Sequence, residues 1–328
     1  MVASVESLST IFDTSTCTRR GFCPVTRLRN QVEALESHSL YYEIHGSGPQ
    51  KVALIMGLNS SCFAWLGQVE HFGRMSDYSV LVFDNRGVGH SEAPRGPYST
   101  SGMAEDAKVL LDYVGWTEER GIHVVGISLG GMIAQELATR IPERIASLVI
   151  AVSTPGGRAF WNNLPPWKGL KLLAKLTFTA DHELKIPLLL DLLYPTAWTD
   201  DAAEDDDQGR INREIQTQIY RRRLLCTAPQ GLVGALSQMA SALSHHVSAE
   251  RLRAISDDIP KVVIVTGDDD NLVLPSNSKR LKNCMPDAEF VQWEHTGHAL
   301  HVQRPKKFNE LLERTFKEGR RKAGGSWD

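Results

Sequence analysis

The feature that most constrains this chain is a series of short runs that are apolar at successive positions and not at alternate ones. They read "KVALIMG", "YSVLVFD", "GIHVVGIS" and "IASLVIAVS", and the pattern resumes at "KVVIVTG" (261–267) and "AEFVQWEH" (288–295). A strand that is apolar on both faces belongs inside a sheet covered by helices on each side. Between "YSVLVFD" and "GIHVVGIS" lies "SGMAEDAKVLLDYVGW", where Met103, Ala107, Leu110, Leu111 and Val114 recur at helical spacing. That segment predicts a crossover helix, and the alternation predicts an α/β architecture with a mostly parallel central sheet.

The rhythm breaks after Ser153. Residues 156–250 lack strand-like runs, contain two proline clusters and several aromatics, and include helical stretches such as "GLKLLAKL". They predict a helical segment inserted into the core. The expected organisation is an irregular N-terminal extension at 1–39, a core at 40–155, the helical insertion at 156–250 and the rest of the core at 251–328. The last part closes with the amphipathic "PKKFNELLERTFKEG".

Composition excludes several classes. Apolar residues at 42% and charged ones at 23% are globular proportions, which argues against disorder and against fibrous repeats. A formal charge of -3 lacks the basic excess that neutralises phosphates, so no nucleic-acid partner is expected and a small molecule is. No run approaches the roughly 18 apolar residues of a membrane span. The N-terminus has no signal-like apolar core, so a cytoplasmic address is expected. The five cysteines (Cys17, Cys23, Cys62, Cys226, Cys284) are scattered and odd in number, which suggests reduced thiols and neither a disulfide framework nor a zinc site. Cys17 and Cys23 could pair if the extension were exported.

Chemistry is signalled at "VVGISLGGMIAQ" (124–135), where an apolar strand turns into a helix through small residues with Ser128 at the corner. Gly126, Ser128 and Gly130 satisfy G-x-S-x-G. A serine on such a turn takes strained backbone angles and projects its oxygen above the sheet, which only very small neighbours permit. The following helix aims its N-terminal N–H groups at the same spot. A serine needs a base and an orienting carboxylate. "GDDDNLVLP" supplies carboxylates after one strand, and "EHTGHALH" supplies histidines after the last.

Together, "GISLGG", the turn "DNRGVGHS" (84–91), "GDDDNLVLP" and "GHALHVQRP" resemble the alpha/beta-hydrolase superfamily, in the family's order of Ser, Asp and His over residues 40–315. The resemblance implies Ser128 as nucleophile, His298 as base and Asp270 as acid, with Asp268 and Asp269 as competitors for the acid and His295 and His301 flanking the base. The family's other acid position carries Thr154 and Pro155 and no carboxylate. The resemblance also implies an oxyanion hole from the backbone N–H groups of Leu129 and Leu58. The sequence departs from the family where Met56-Gly57 replaces a common His-Gly pair. Asp84 and Arg86 are expected to hold a turn near the site. The Gly-x-Gly in "DNRGVGHS" lacks the third glycine of a dinucleotide fingerprint, and no metal or organic cofactor is implied.

The insertion takes the place of the family's cap. Phe160, Trp161, Trp167, Phe178, Tyr194 and Trp198 suggest an apolar roof. "YRRR" (220–223) is most simply an outer helix face, although it could meet a substrate carboxylate. "DDAAEDDDQGR" reads as a solvated turn. The function implied is a serine hydrolase acting on a carboxylic ester, lactone or thioester of a small, largely apolar substrate. Alternatives on the same triad are a C–C bond hydrolase or an acyltransferase, and from another class a small-ligand receptor. Oligomeric state is not encoded in any pattern here.

Overall fold

The computed structural model describes residues 8–27, 36–179, 181–204 and 206–325. An eight-stranded sheet runs through it: β1 (Cys17–Arg27), β2 (Glu36–His45), β3 (Gln50–Ile55), β4 (Tyr78–Phe83), β5 (Ile122–Ile127), β6 (Ile145–Ala151), β7 (Lys261–Gly267) and β8 (Glu289–Trp293), in the spatial order β1-β2-β4-β3-β5-β6-β7-β8. Strands β3 to β8 are mutually parallel, whereas β2 is antiparallel to both β4 and β1. The apolar runs of β3 to β7 behave as doubly buried strands must, whereas β8, at the sheet's edge, buries only Trp293. In β6, Leu148 and Ile150 enter one apolar layer while Val149 and Ala151 enter the other. In β7, Val262 and Ile264 face opposite to Val263 and Val265 in the same way.

The helices are α1 (Leu66–Phe72), α2 (Thr100–Tyr113), α3 (Leu129–Ala138), α4 (Trp167–Phe178), α5 (His182–Leu193), α6 (Thr196–Asp200), α7 (Asn212–Cys226), α8 (Leu232–Leu243), α9 (Ala249–Asp258), α10 (Pro275–Cys284), α11 (Leu300–Gln303) and α12 (Pro305–Lys322). The predicted crossover helix is α2. Ser99 caps it by accepting the N–H of Gly102 at 3.0 Å, and Met103, Ala107, Leu110 and Leu111 are buried. It shares its apolar layer with α3 and α9, while Phe308, Leu311, Leu312 and Phe316 of α12 fill the layer on the other face.

Two findings depart from the expected organisation. The N-terminal extension is not irregular throughout: residues 17–27 form β1, an edge strand paired along its length with β2. Cys23 and Val25 are buried with Pro24 exposed between them, the period-2 pattern of a half-buried strand. A proline is compatible with that position because an edge strand has backbone N–H groups that no neighbour needs. Residues 1–7 and 28–35 of the same extension lie outside the described residues, as do Asp205 and the side chain of Phe160. The second departure concerns position 250, which falls inside α9, a helix packed against α3 and α10 of the core.

The insertion leaves and re-enters the core at one place. Gly156 bridges His246, and the Val247 N–H donates to the Pro155 carbonyl at 3.0 Å. Gly156 has φ of 71°, and a Cβ there would come within 1.9 Å of the His245 carbonyl oxygen, so the clasp requires glycine. All five cysteines are free, including Cys17 and Cys23. Among the described residues no helix is long and apolar enough to cross a membrane.

Candidate active site

Ser128 stands between the last residue of β5 and the first of α3, with φ 57° and ψ -121°. For a residue with a Cβ this is a strained conformation. The neighbours that permit it are glycines for measurable reasons. A Cβ at Gly126 would lie 2.3 Å from the Gly130 carbonyl oxygen, and one at Gly130 would lie 2.1 Å from that of Ile55. The corner is held by hydrogen bonds: the Ser128 N–H donates to Ala151, and its carbonyl accepts from Gly131 N–H at 2.9 Å and from the Ser153 hydroxyl at 2.9 Å. The N–H of Leu129 belongs to the first turn of α3, where backbone donors have no partner within the helix.

His298 lies 6% exposed in the loop between β8 and α11, and its Nδ1 is 2.8 Å from Asp270 Oδ2. A carboxylate only accepts, so Nδ1 carries the proton and Nε2 is left as the basic nitrogen. The other oxygen of Asp270 accepts the N–H groups of Leu272 at 2.7 Å and Val273 at 2.9 Å. The carboxylate is therefore fixed in position by two backbone donors on one oxygen and the imidazole on the other. Asp268 and Asp269 are exposed, and Asp268 Oδ1 accepts the Thr296 N–H. Of the three aspartates, Asp270 is the one that meets the imidazole. His295 is exposed, and His301 is buried against the Ala64 backbone with no hydrogen bond of good geometry on either ring nitrogen. Thr154, at the other possible acid position, bonds Asn277 and Gly156.

Gly57 brings the loop after β3 against the corner: a Cβ on it would be 3.1 Å from Ser128 Cβ and 3.7 Å from Oγ. Leu58 follows directly. The turn "DNRGVGHS" braces this loop. Asp84, fully buried, accepts the Cys62 N–H at 2.7 Å and the His90 N–H at 2.8 Å, and burial raises its carboxyl above the usual range. Asn85 Nδ2 donates to the Met56 carbonyl at 2.9 Å, and Arg86 pairs with Asp106 through two 2.5 Å bonds. Burial alone would raise the Asp106 carboxyl, but His38 and Arg86 outweigh it and hold it low.

Two residues without a sequence signal join this brace from the insertion. Gln238 of α8 is fully buried; its Oε1 accepts the Asn59 N–H at 2.8 Å, and its Nε2 donates to the Arg86 carbonyl at 2.8 Å. Gln230 Nε2 donates to Asn59 Oδ1 and to the Gly87 carbonyl, each at 3.0 Å. Asn59 has φ of 52° and is held in that left-handed conformation from both sides. The insertion also touches the His298 loop. A Cβ on Gly297 would be 2.6 Å from the Leu193 carbonyl oxygen, and that oxygen accepts the Ala299 N–H at 3.2 Å. Of the aromatics expected to form a roof, Tyr194 and Trp198 pack together near this loop, whereas Trp161, Trp167 and Phe178 are 64%, 71% and 84% exposed.

One grouping among the described residues has metal-ligating types within 4.8 Å: Cys17, Glu43 and His45. Two of its three groups are already engaged. Glu43 Oε1 accepts from Thr10 and Tyr41, Oε2 meets His45 Nε2, and His45 Nδ1 meets Thr16. The cluster ties residues 10–16 to β2 as a hydrogen-bonded network.

Comparison with known proteins agrees with this fold. The family described by the alpha/beta hydrolase fold matches residues 52–305. A relative from Caulobacter segnis that bears the name carbamate hydrolase RutD is 29% identical over 292 residues, covering 85% of this chain and 96% of the relative. A thermophilic esterase from Thermogutta terrifontis superposes with a TM-score of 0.67 at 19% identity, covering 92% of this chain and 99% of the esterase. The enol-lactonase from Burkholderia xenovorans LB400 gives a TM-score of 0.67 at 18% identity, covering 85% and 97% respectively. At these identities the structural likeness is one of fold.

Proposed function

This chain belongs to the alpha/beta-hydrolase family, and on that premise we propose that it is a serine hydrolase cleaving a carboxylic ester, lactone or thioester of a small, largely apolar substrate. Ser128 attacks the carbonyl carbon while His298 Nε2 takes its proton, and Asp270 holds the imidazole in the useful tautomer. The N–H groups of Leu129 and Leu58 face the oxyanion. His298 then protonates the leaving group and activates the water that releases the acid. The observation that carries this reading is the 2.8 Å contact of a buried Asp270 with His298 Nδ1, in a molecule whose serine occupies a strained strand-to-helix corner. The insertion at 156–250 acts as the cap. Its apolar packing of Ile186, Leu190 and Tyr194 against Ala299, beside His298, favours an apolar substrate. Five free thiols fit a reducing compartment, and we read the enzyme as cytoplasmic.

The similarity to a protein named for carbamate hydrolysis favours a second reading, in which the same serine takes up a carbamoyl group. One experiment separates these readings: turnover of matched 4-nitrophenyl esters and carbamates by the wild type, Ser128→Ala and His298→Ala. Faster ester turnover, lost in both variants, supports the esterase; faster carbamate turnover, lost in both, supports the carbamate reading. Turnover that survives Ser128→Ala refutes both.

A further inference from the structure

The three arginines of "YRRR" have three different fates. Arg221 pairs with Glu183 at the surface, and Arg222 donates to the Ile11 carbonyl at 2.9 Å. Arg223, in the last turn of α7, is 8% exposed. A guanidinium keeps its charge in any protein environment, so burying it calls for a counter-charge. The other deeply buried arginine of the site region, Arg86, has one in Asp106. Arg223 has no carboxylate among the described residues. Its Nη2 reaches the Ala64 carbonyl at a long 3.5 Å, its Cζ sits 4.9 Å from the centre of the Tyr220 ring, and its Nε has no partner.

Other polar groups at the same place are also unmatched. His301, three residues after His298, is buried; neither ring nitrogen makes a hydrogen bond of good geometry, although the ring meets the Ala64 backbone, and the indole N–H of Trp65 is unpartnered with its ring 4.9 Å from the His301 ring. Burial, followed by the charge of Arg223 and the nearby His298, holds His301 down to about 3, so this ring is neutral and can donate from one nitrogen. Ala64, which Arg223 reaches, lies in the tight turn Cys62–Trp65 that follows the Leu58 loop. The seam between α7, this turn and α11 thus holds one fixed positive charge and several donors, and among the described residues no carboxylate pairs with that charge; Asp84, at the start of the turn, is taken up by the Cys62 and His90 N–H groups.

We propose that Arg223, His301 and Trp65 form a binding site for a carboxylate at the seam between the cap and the His298 loop. The planar fork of Arg223 matches a carboxylate in charge and shape. The carboxylate comes either from a free organic acid or from the substrate itself. The second source rests on the hydrolase reading above and narrows its substrate to an acid-bearing, otherwise apolar ester.

The test compares 4-nitrophenyl hydrogen glutarate with the neutral 4-nitrophenyl valerate, and reads the melting temperature with sodium glutarate against sodium chloride at equal ionic strength. Wild type, Arg223→Gln and Arg223→Lys are measured; the lysine variant keeps the charge and guards against a folding failure of the first. If the substrate supplies the carboxylate, the glutarate-to-valerate ratio of kcat/KM falls about ten- to a hundredfold in Arg223→Gln, mainly through KM, and less in Arg223→Lys. If a free acid is the ligand, the ratio holds while glutarate stabilises the wild type and not Arg223→Gln. A wild type that turns over neither ester yet is stabilised by glutarate through Arg223 keeps the site and removes the hydrolase reading. An unchanged ratio with no Arg223-dependent stabilisation overturns the proposal and leaves the cluster to buried water.

Discussion

At the scale of single residues, the corner at Ser128 and the loop that carries His298 were legible because their backbone geometry requires particular neighbours. Gly126 and Gly130 are forced by backbone approaches of 2.3 and 2.1 Å, and Gly297 by the Leu193 carbonyl. Constraints of that kind leave a mark in the sequence. Among Asp268, Asp269 and Asp270, the register of the resemblance favours Asp270, but adjacent carboxylates on one loop differ in which way they turn. The turn made by the Leu272 and Val273 N–H groups settles which of them meets His298. Asp270→Asn is therefore expected to lower kcat by about 10³- to 10⁴-fold, because an amide stabilises the wrong imidazole tautomer and no imidazolium. Asp269→Asn, at an exposed position, should change kcat less than about threefold. Steady-state kinetics of the two variants check this, and equal losses would reassign the acid.

At the scale of elements, the strands and α2 follow from their apolar periods, and the edge strand β1 does not. It carries Arg19 and Arg20 at consecutive positions, hence on opposite faces, so its apolar alternation is confined to Cys23 and Val25. The contribution of α8 had no sequence signal either: a glutamine inside "GLVGALSQMASAL" is an unremarkable helical residue until the fold places it against Asn59. Gln238→Leu removes two hydrogen bonds and strands the Asn59 N–H and the Arg86 carbonyl, at a cost of about 2–5 kcal/mol. Because Asn59 adjoins Leu58, kcat should fall by about tenfold or more while KM moves less. Chemical denaturation and kinetics on the same variant check both effects. A loss of stability without a loss of kcat would confine Gln238 to a structural role.

At the scale of the whole molecule, the mostly parallel sheet was readable, because a doubly buried strand has an unmistakable composition. The clasp at Gly156 and His246 was not, since it depends on the two ends of the insertion returning to one point. Burial also sets the response to acid. Burial, with the Arg320 charge, depresses His123 to about 3, and burial is the largest influence depressing His245 to about 4. An unfolded histidine titrates near 6.5. Below that pH the unfolded chain binds protons that the folded chain refuses, so this stability is complete above about 6.5 and is lost as pH falls towards about 4. The slope is at most about 1.4 kcal/mol per pH unit for each histidine. Urea unfolding between about pH 7 and pH 5 should show the decline, and His123→Leu should make it shallower; an unchanged slope would show that His123 does not contribute.

The central claim is that Ser128 is a nucleophile activated by His298. The most direct measurement is the intact mass of the folded protein after treatment with a fluorophosphonate, followed by peptide mapping. The account predicts a single adduct on the peptide containing Ser128, absent from Ser128→Ala and much slower to form in His298→Ala. A folded wild type that takes up no phosphonate, or takes it up at another residue, would contradict it.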